Sequence, residues 1–172
     1  MSNPKRLKAI CDAGPIIHLD ELKVLHLLSD FHEVLVPDRV WFEVTRHRRE
    51  ALNHPDIPFR KVILDKPPDG LLLAMSKAFS LDSGEIQTLS LALQHRDSLL
   101  FTDDAAARFV AEQMGFKVHG TIGIIVRAIR RGYLSAREVV DILSIIPQQS
   151  SLYIKPALLD RIIRDLKERF EL

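Results

Sequence analysis

At 172 residues and 47% hydrophobic content, the chain is long enough for one domain with a sizeable core. Its formal charge of +1 excludes a global field for nucleic acid and leaves that role to a local patch, of which Arg46–Arg49, RHRR, is the densest. A single cysteine, Cys11, excludes an internal disulfide framework and a thiolate metal cage, and fits a reducing, cytoplasmic setting.

The N-terminal MSNPKRLKAI carries no signal-peptide pattern, and no apolar run is long enough to span a bilayer, so a soluble protein is expected. LKAIC, before Asp12, reads as a short buried strand, with Gly14 and Pro15 completing a turn. DELKVLHLL places Leu22, Leu25 and Leu28 at helical spacing. EVLVP is a second strand stopped by Pro37, and Asp38 is positioned to cap the helix RVWFEVTRH. Residues Asn53 to Gly70 are proline-rich and read as loop, edge strand (FRKVIL) and loop.

Helical patterns follow at Leu71 to Phe79 and from LDSGE through His95. SLLFT is a third central strand, DAAARFVAEQM a helix closed by Gly115, and KVHG a short strand. TIGIIVRAIRRG is a helix with Thr121 as its expected cap and Gly132 just past its end. SAREVVDILSII opens with a Ser135–Glu138 capping box, and an amphipathic helix runs from Pro156 to about Phe170. Strands alternating with helices predict an α/β fold with a central parallel sheet. The last two helices, with no strand between them, read as a C-terminal helical appendage over 135–172, packed on a domain of residues 1–134.

In open parallel sheets, ligands bind at the carboxyl ends of the strands. Asp12 ends the first strand, and Asp103 and Asp104 end SLLFT, so the three acids should share one rim. Glu85 falls on the buried arc defined by Ile86, Leu89, Ala92 and Leu93, and Glu43 lies near the stripe of Val40 and Val44. Carboxylates gathered from distant segments make an oxygen-ligand site suited to Mg²⁺ or Mn²⁺. Each acid also has a plainer reading. Asp103 or Asp104 could cap the next helix, Glu85 could close a capping box with Asp82, and Glu43 alone could be a solvated helix residue. Their coincidence at strand and helix ends favours the functional reading.

Other chemistries fit less well. The seven histidines show no paired zinc spacing, and no G-x-S-x-G elbow is present. GFKVHGT has the glycine spacing of a phosphate loop, but Thr121 stands where lysine is required.

The order CDAGPIIHLDEL, VLVPDRVWFEV, LDSGEIQTLSLAL and LLFTDDAAARFVAEQMGFKVHGTIGIIVRAIRRG resembles the PIN-domain family. It is most similar to a prokaryotic PIN-like branch of toxin-type ribonucleases. The resemblance covers Ile10 to Gly132. It implies a three-layer α/β/α fold and a metal-dependent RNA endonuclease. Asp12, Glu43, Glu85 and Asp104 would be its catalytic acids, and Asp12, Glu85, Asp104 and the neighbouring Asp103 its ligands for Mg²⁺ or Mn²⁺. Thr121 would lie near the RNA substrate, with Arg46, Arg48 and Arg49 as candidate phosphate contacts or, more plainly, a solvated charge run. The toxin-type likeness also implies a small antitoxin partner. Residual apolar surface on the last helix, around Leu158, Leu159, Ile162 and Ile163, predicts a homodimer.

The chain departs from the family in placing Ala13 and Gly14 where a hydroxyl residue commonly follows the first aspartate. That departure keeps a non-cleaving PIN-like binding module as the alternative function. A receiver-like phosphoryl-transfer domain is a further rival, but it would place its acid pair after the first strand.

Overall fold

The computed structural model describes residues 7–172. Five strands, β1 (Lys8–Cys11), β2 (Glu33–Pro37), β3 (Phe59–Val62), β4 (Leu99–Phe101) and β5 (Val118–His119), form one all-parallel sheet in the order β3-β2-β1-β4-β5. Among the described residues eight α-helices accompany it: α1 (Ala13–Glu21), α2 (Asp38–His47), α3 (Gly70–Ala78), α4 (Ser83–Gln94), α5 (Ala105–Gln113), α6 (Thr121–Arg131), α7 (Ala136–Gln149) and α8 (Pro156–Arg169). β1 and β4 pair with Ala9 opposite Leu99, Ile10 opposite Leu100 and Cys11 opposite Phe101.

Alternation along the strands divides the core into two layers. Ala9, Cys11, Val34, Val36 and Phe101 face a cluster that includes Ile16 and Leu19 of α1, Val40 and Val44 of α2, and Ile124 and Ile125 of α6. Ile10, Leu35 and Leu100 face the other side, where Leu72, Leu89, Leu91 and Val110 of α3, α4 and α5 pack. Burial on both faces explains why the three central strands, β2, β1 and β4, read as nearly continuous apolar runs, whereas the edge strands β3 and β5 do not. The result is a three-layer α/β/α sandwich.

α7 and α8 bury Val139, Val140, Leu143, Ile146, Leu159 and Leu166 in the same cluster as α1 and α6. Ile162 and Ile163 also pack against it, which leaves Leu158 as the exposed member of the α8 stripe. No helix among the described residues is long and apolar enough to cross a membrane.

Several local expectations are corrected. The first helix begins at Ala13, directly after Asp12, and not at Asp20; Leu25–Leu28 form a short 3₁₀ turn instead. Gly14 and Pro15 sit inside its first turn, where the missing proline N–H leaves no bond unmade. Asp38 is the first helical residue of α2 and not its cap, and it pairs with Lys61 at 2.8 Å. Gly120, not Thr121, occupies the cap position of α6. α7 runs through Pro147 to Gln149, because only its last turn has to tolerate the lost donor.

One buried ion pair ties the C-terminal half to the turn before β2. The Asp30 side chain, 2% exposed, accepts from Arg127 Nη1 and Nη2 at 3.1 and 2.7 Å and from Arg131 Nε at 3.0 Å. The Arg127 guanidinium also lies 4.7 Å from the centre of the Phe31 ring. Asp30→Ala strands a buried guanidinium and is expected to cost about 3 kcal/mol, at the low end for broken buried pairs. Urea denaturation measures this, and an unchanged midpoint would show that the pair adds nothing to stability.

Candidate active site

The chain leaves β1 to build β2 and β3 on one side and returns on the other side with β4 and β5. The order therefore reverses between β1 and β4, the switch point at which open parallel sheets present a crevice beyond the carboxyl ends of their strands. Asp12 and Asp104 stand on either side of it.

Asp12 is 8% exposed. Its Oδ1 accepts from Ala13 N at 2.9 Å, which caps α1, and its Oδ2 accepts from Thr102 Oγ1 at 2.8 Å. Its own N–H donates to Phe101 O at 2.9 Å. Burial pushes its pKa up to about 6 against these bonds, and the charges of Asp82 and Glu43 push the same way.

Asp104 caps α5 through Oδ1, which accepts from Ala107 N at 2.7 Å. Asp82 and Glu85 form a reciprocal capping box at the start of α4: Glu85 N donates to Asp82 Oδ1 at 2.9 Å, and Asp82 N donates to Glu85 Oε2 at 2.8 Å. Burial first, and then the charges of Asp82, Asp104 and Asp12, push Glu85 up to about 7. Glu43 projects from α2 against the same helix start, where a Cβ added at Gly84 would lie 3.6 Å from its Oε2. Burial and Asp82 raise its pKa as well. Among the described residues, no lysine or arginine forms an ion pair with any of these five acids.

Asp103 faces elsewhere. Its Oδ1 accepts from Thr121 N at 2.7 Å, and its Oδ2 accepts from Thr121 Oγ1 at 2.6 Å and lies 2.8 Å from His18 Nδ1. It thus supplies from the β4–α5 loop the acceptor that Gly120 lacks for α6, and it ties α1, α5 and α6 together. Gly120 is needed for that approach, since a Cβ there would stand 2.5 Å from Asp103 Oδ1. Of the two aspartates expected to offer a cap for the helix after β4, Asp104 is the cap, and Asp103 belongs to α6.

Thr121 is fully buried, with its hydroxyl spent on Asp103. Arg48 is held by Asp20 at 2.6 Å, whereas Arg46 and Arg49 are exposed around the end of α2. Sequence reasoning missed Asp82 as a fifth acid, having read it only as a cap, and missed Thr102 and His18. The threonine directly before the acid pair was the available signal for Thr102; His18 had none.

The donor set suits a hard divalent cation. Among the described residues, Asp82, Glu85 and Asp104 each spend one oxygen on a cap and leave the other without a hydrogen bond, and the Glu43 carboxylate accepts none. Among the described residues no group of three or more acid, histidine or cysteine side chains is placed to hold a metal ion, so a cation taken by one or two of these carboxylates would keep several waters, as Mg²⁺ does.

A doubly covered parallel sheet with acids gathered at its switch point defines an α/β domain of the three-layer, doubly wound class. The family DUF3368, described as a PIN domain, matches residues 8–168, and the chain belongs to the PIN-domain family, a nuclease-type family whose members generally depend on divalent metal. No curated protein and no solved structure matches the chain.

The raised carboxyls make the metal-free protein pH-sensitive. Asp12 and Glu85 titrate near 6 and 7 when folded, against about 4 when unfolded. Between those limits the folded state binds more protons, so the contribution of these groups is full below about pH 4 and is lost as pH rises through 6 to 7. In EDTA, the melting temperature of Asp12→Asn/Glu85→Gln should therefore gain on that of the wild type between pH 5 and pH 8. A constant difference across that range would count against the crowding.

Proposed function

We propose that the protein is a metal-dependent RNA endonuclease, and that Asp12, Glu43, Glu85 and Asp104 are its catalytic acids. One observation carries this reading. Five carboxylates from four segments crowd the switch-point crevice with no lysine or arginine ion-paired to them among the described residues, and burial and mutual repulsion hold Asp12 and Glu85 far above the usual carboxylate range. Such an arrangement costs stability unless a cation is there to use it.

Asp12 and Asp104 would be the principal ligands for Mg²⁺ or Mn²⁺, with Glu85 and Glu43 holding it directly or through water. When bound, the ion supplies a water acidified for attack on phosphorus and charge stabilisation for the leaving 3′ oxygen. Asp12 is pre-set for this role by Thr102 Oγ1 and Ala13 N, which fix both of its oxygens. Thr102 thereby offers from β4 a hydroxyl that the Ala13–Gly14 sequence does not provide after the first aspartate, which weakens the motive for a non-cleaving module. Glu43 has no cap to make, so its oxygens are free to orient the attacking water and take its proton. A toxin role also fits an open acidic crevice, which a small antitoxin could close by presenting a basic side chain.

Asp12→Asn should abolish Mg²⁺-dependent cleavage of single-stranded RNA while leaving the melting temperature unchanged or higher. Wild-type cleavage that persists in excess EDTA would overturn the metal mechanism.

The two adjacent aspartates separate in a second experiment. Asn is as good a cap as Asp, so Asp104→Asn should keep α5 intact, yet lose turnover and the thermal stabilisation by added Mg²⁺. Asp103→Asn should lower the melting temperature, since it disturbs the cap of α6, but keep the Mg²⁺ response and residual turnover, within about 10- to 100-fold of wild type. The opposite pattern would reassign the ligand to Asp103.

A further inference from the structure

A cavity of about 320 Å³ opens beside the acidic crevice, where the carboxyl ends of β4 and β5 meet the start of α6. Asp103, Arg108, His119, Ile122 and Tyr153 are among its walls. Arg108, half-buried on α5, donates from Nη2 to Thr102 O at 3.1 Å and from Nη1 to Val118 O at 3.3 Å. Both acceptors are neutral carbonyls, and Arg108 forms no ion pair among the described residues. Its guanidinium is therefore fixed in place by two carbonyls, with the Asp103 carboxylate close by but not in direct contact: a Cβ added at Gly120 would lie 2.5 Å from Asp103 Oδ1 and 3.0 Å from Arg108 Nη2. Asp103 lines the same cavity, but its oxygens are engaged by Thr121 and His18.

The surroundings are positive as well. Partial burial lowers the pKa of His119, and Arg108, Arg130, Arg127 and Lys117 lower it further. Of these, Arg127 is already neutralised by Asp30. Tyr153 stands at the mouth of the cavity with 83% of its surface exposed, an unusual position for an aromatic ring unless it meets something. A rigid guanidinium beside an open aromatic face is how proteins hold single-stranded nucleic acid: the cation takes the backbone and the ring takes a base. The α6 start contributes shape more than charge, since its first N–H is already taken by Asp103.

We propose that this cavity is a phosphate subsite for single-stranded RNA, in which Arg108 and His119 contact a backbone phosphate and Tyr153 stacks on a neighbouring base. The inference rests on the endonuclease reading and adds the path of the strand. Asp103 lines the cavity and Asp104 belongs to the acidic cluster, so consecutive residues separate the cleaved phosphate from the held one.

The test is fluorescence anisotropy with a labelled 12-nucleotide single-stranded RNA, on the full chain in EDTA so that nothing is cut. Tyr153→Ala and Arg108→Gln should each weaken binding by about fivefold or more. Arg108→Gln should also reduce the slope of log K against log salt by about 0.7, the share of one phosphate contact on a single strand. Arg108→Lys should restore the slope. Tyr153 is exposed, so its variant reports on binding even if Arg108→Gln proves unstable. Variants that match the wild type in affinity and slope would overturn the subsite, as would a wild type that binds no RNA in EDTA or binds only an acidic peptide. If the wild type binds with the expected dependence yet never cleaves with Mg²⁺ or Mn²⁺, the endonuclease reading falls and the subsite stands. If it cleaves while the variants bind normally, the subsite alone falls.

Discussion

Every βα unit in a parallel sheet delivers a helix N-terminus to the same edge, and each brings backbone N–H groups that no earlier carbonyl can satisfy. In this chain carboxylates meet that need at the crevice: Asp12 for α1, the Asp82–Glu85 pair for α4 and Asp104 for α5. Helix dipoles favour negative charge at these positions. Four acids can therefore collect around one crevice, with Glu43 reaching in as a fifth, and with no lysine or arginine ion-paired to them among the described residues. Capping is what makes the acidity of the site compatible with a folded protein.

The same constraint explains the division of labour between Asp103 and Asp104. Two adjacent carboxylates would repel if both faced the crevice. Asp104 turns to α5, and Asp103 turns to α6, whose glycine cap offers no side chain. Asp103 thereby joins the helices of one face of the sheet to the loop that carries the crevice, with His18 as the contact from α1. Thr102, just before the pair, adds a link by donating to Asp12 across the β1–β4 seam. Three consecutive side chains from β4 onward thus serve the first acid, the α6 cap and the α5 cap.

The helices beyond α6 extend the same logic of support. α7 and α8 bury their apolar faces against α1 and α6, and the Ser150–Ser151 turn between them is fastened to Glu21 at the end of α1: Ser150 Oγ, Ser151 N and Ser151 Oγ all donate to its carboxylate. These bonds hold Glu21 below its ordinary pKa despite the cost of burial. The turn leads into the segment that carries Tyr153, so the last two helices help to shape the cavity beside the crevice.

The strands, their burial on both faces and the parallel class were legible in the sequence, because apolar runs separated by helical periodicity are local patterns. The positions of Asp12, Asp103 and Asp104 at strand ends followed from the same reading, as did the capping boxes at Asp82–Glu85 and Ser135–Glu138. What a side chain does once placed was not legible. Whether Asp103 or Asp104 caps α5 depends on which helix start each can reach, and the start of α6 comes within range of Asp103 only when β5 pairs with β4. Thr102 serves Asp12 only because β1 and β4 are neighbours, 90 residues apart in the chain. Arg108 spends its donors on the carbonyls of Thr102 and Val118 only because β5 pairs with β4 beside it. Local pattern fixes which elements form; the direction of a polar side chain is decided by hydrogen-bond partners that the chain brings close only on folding.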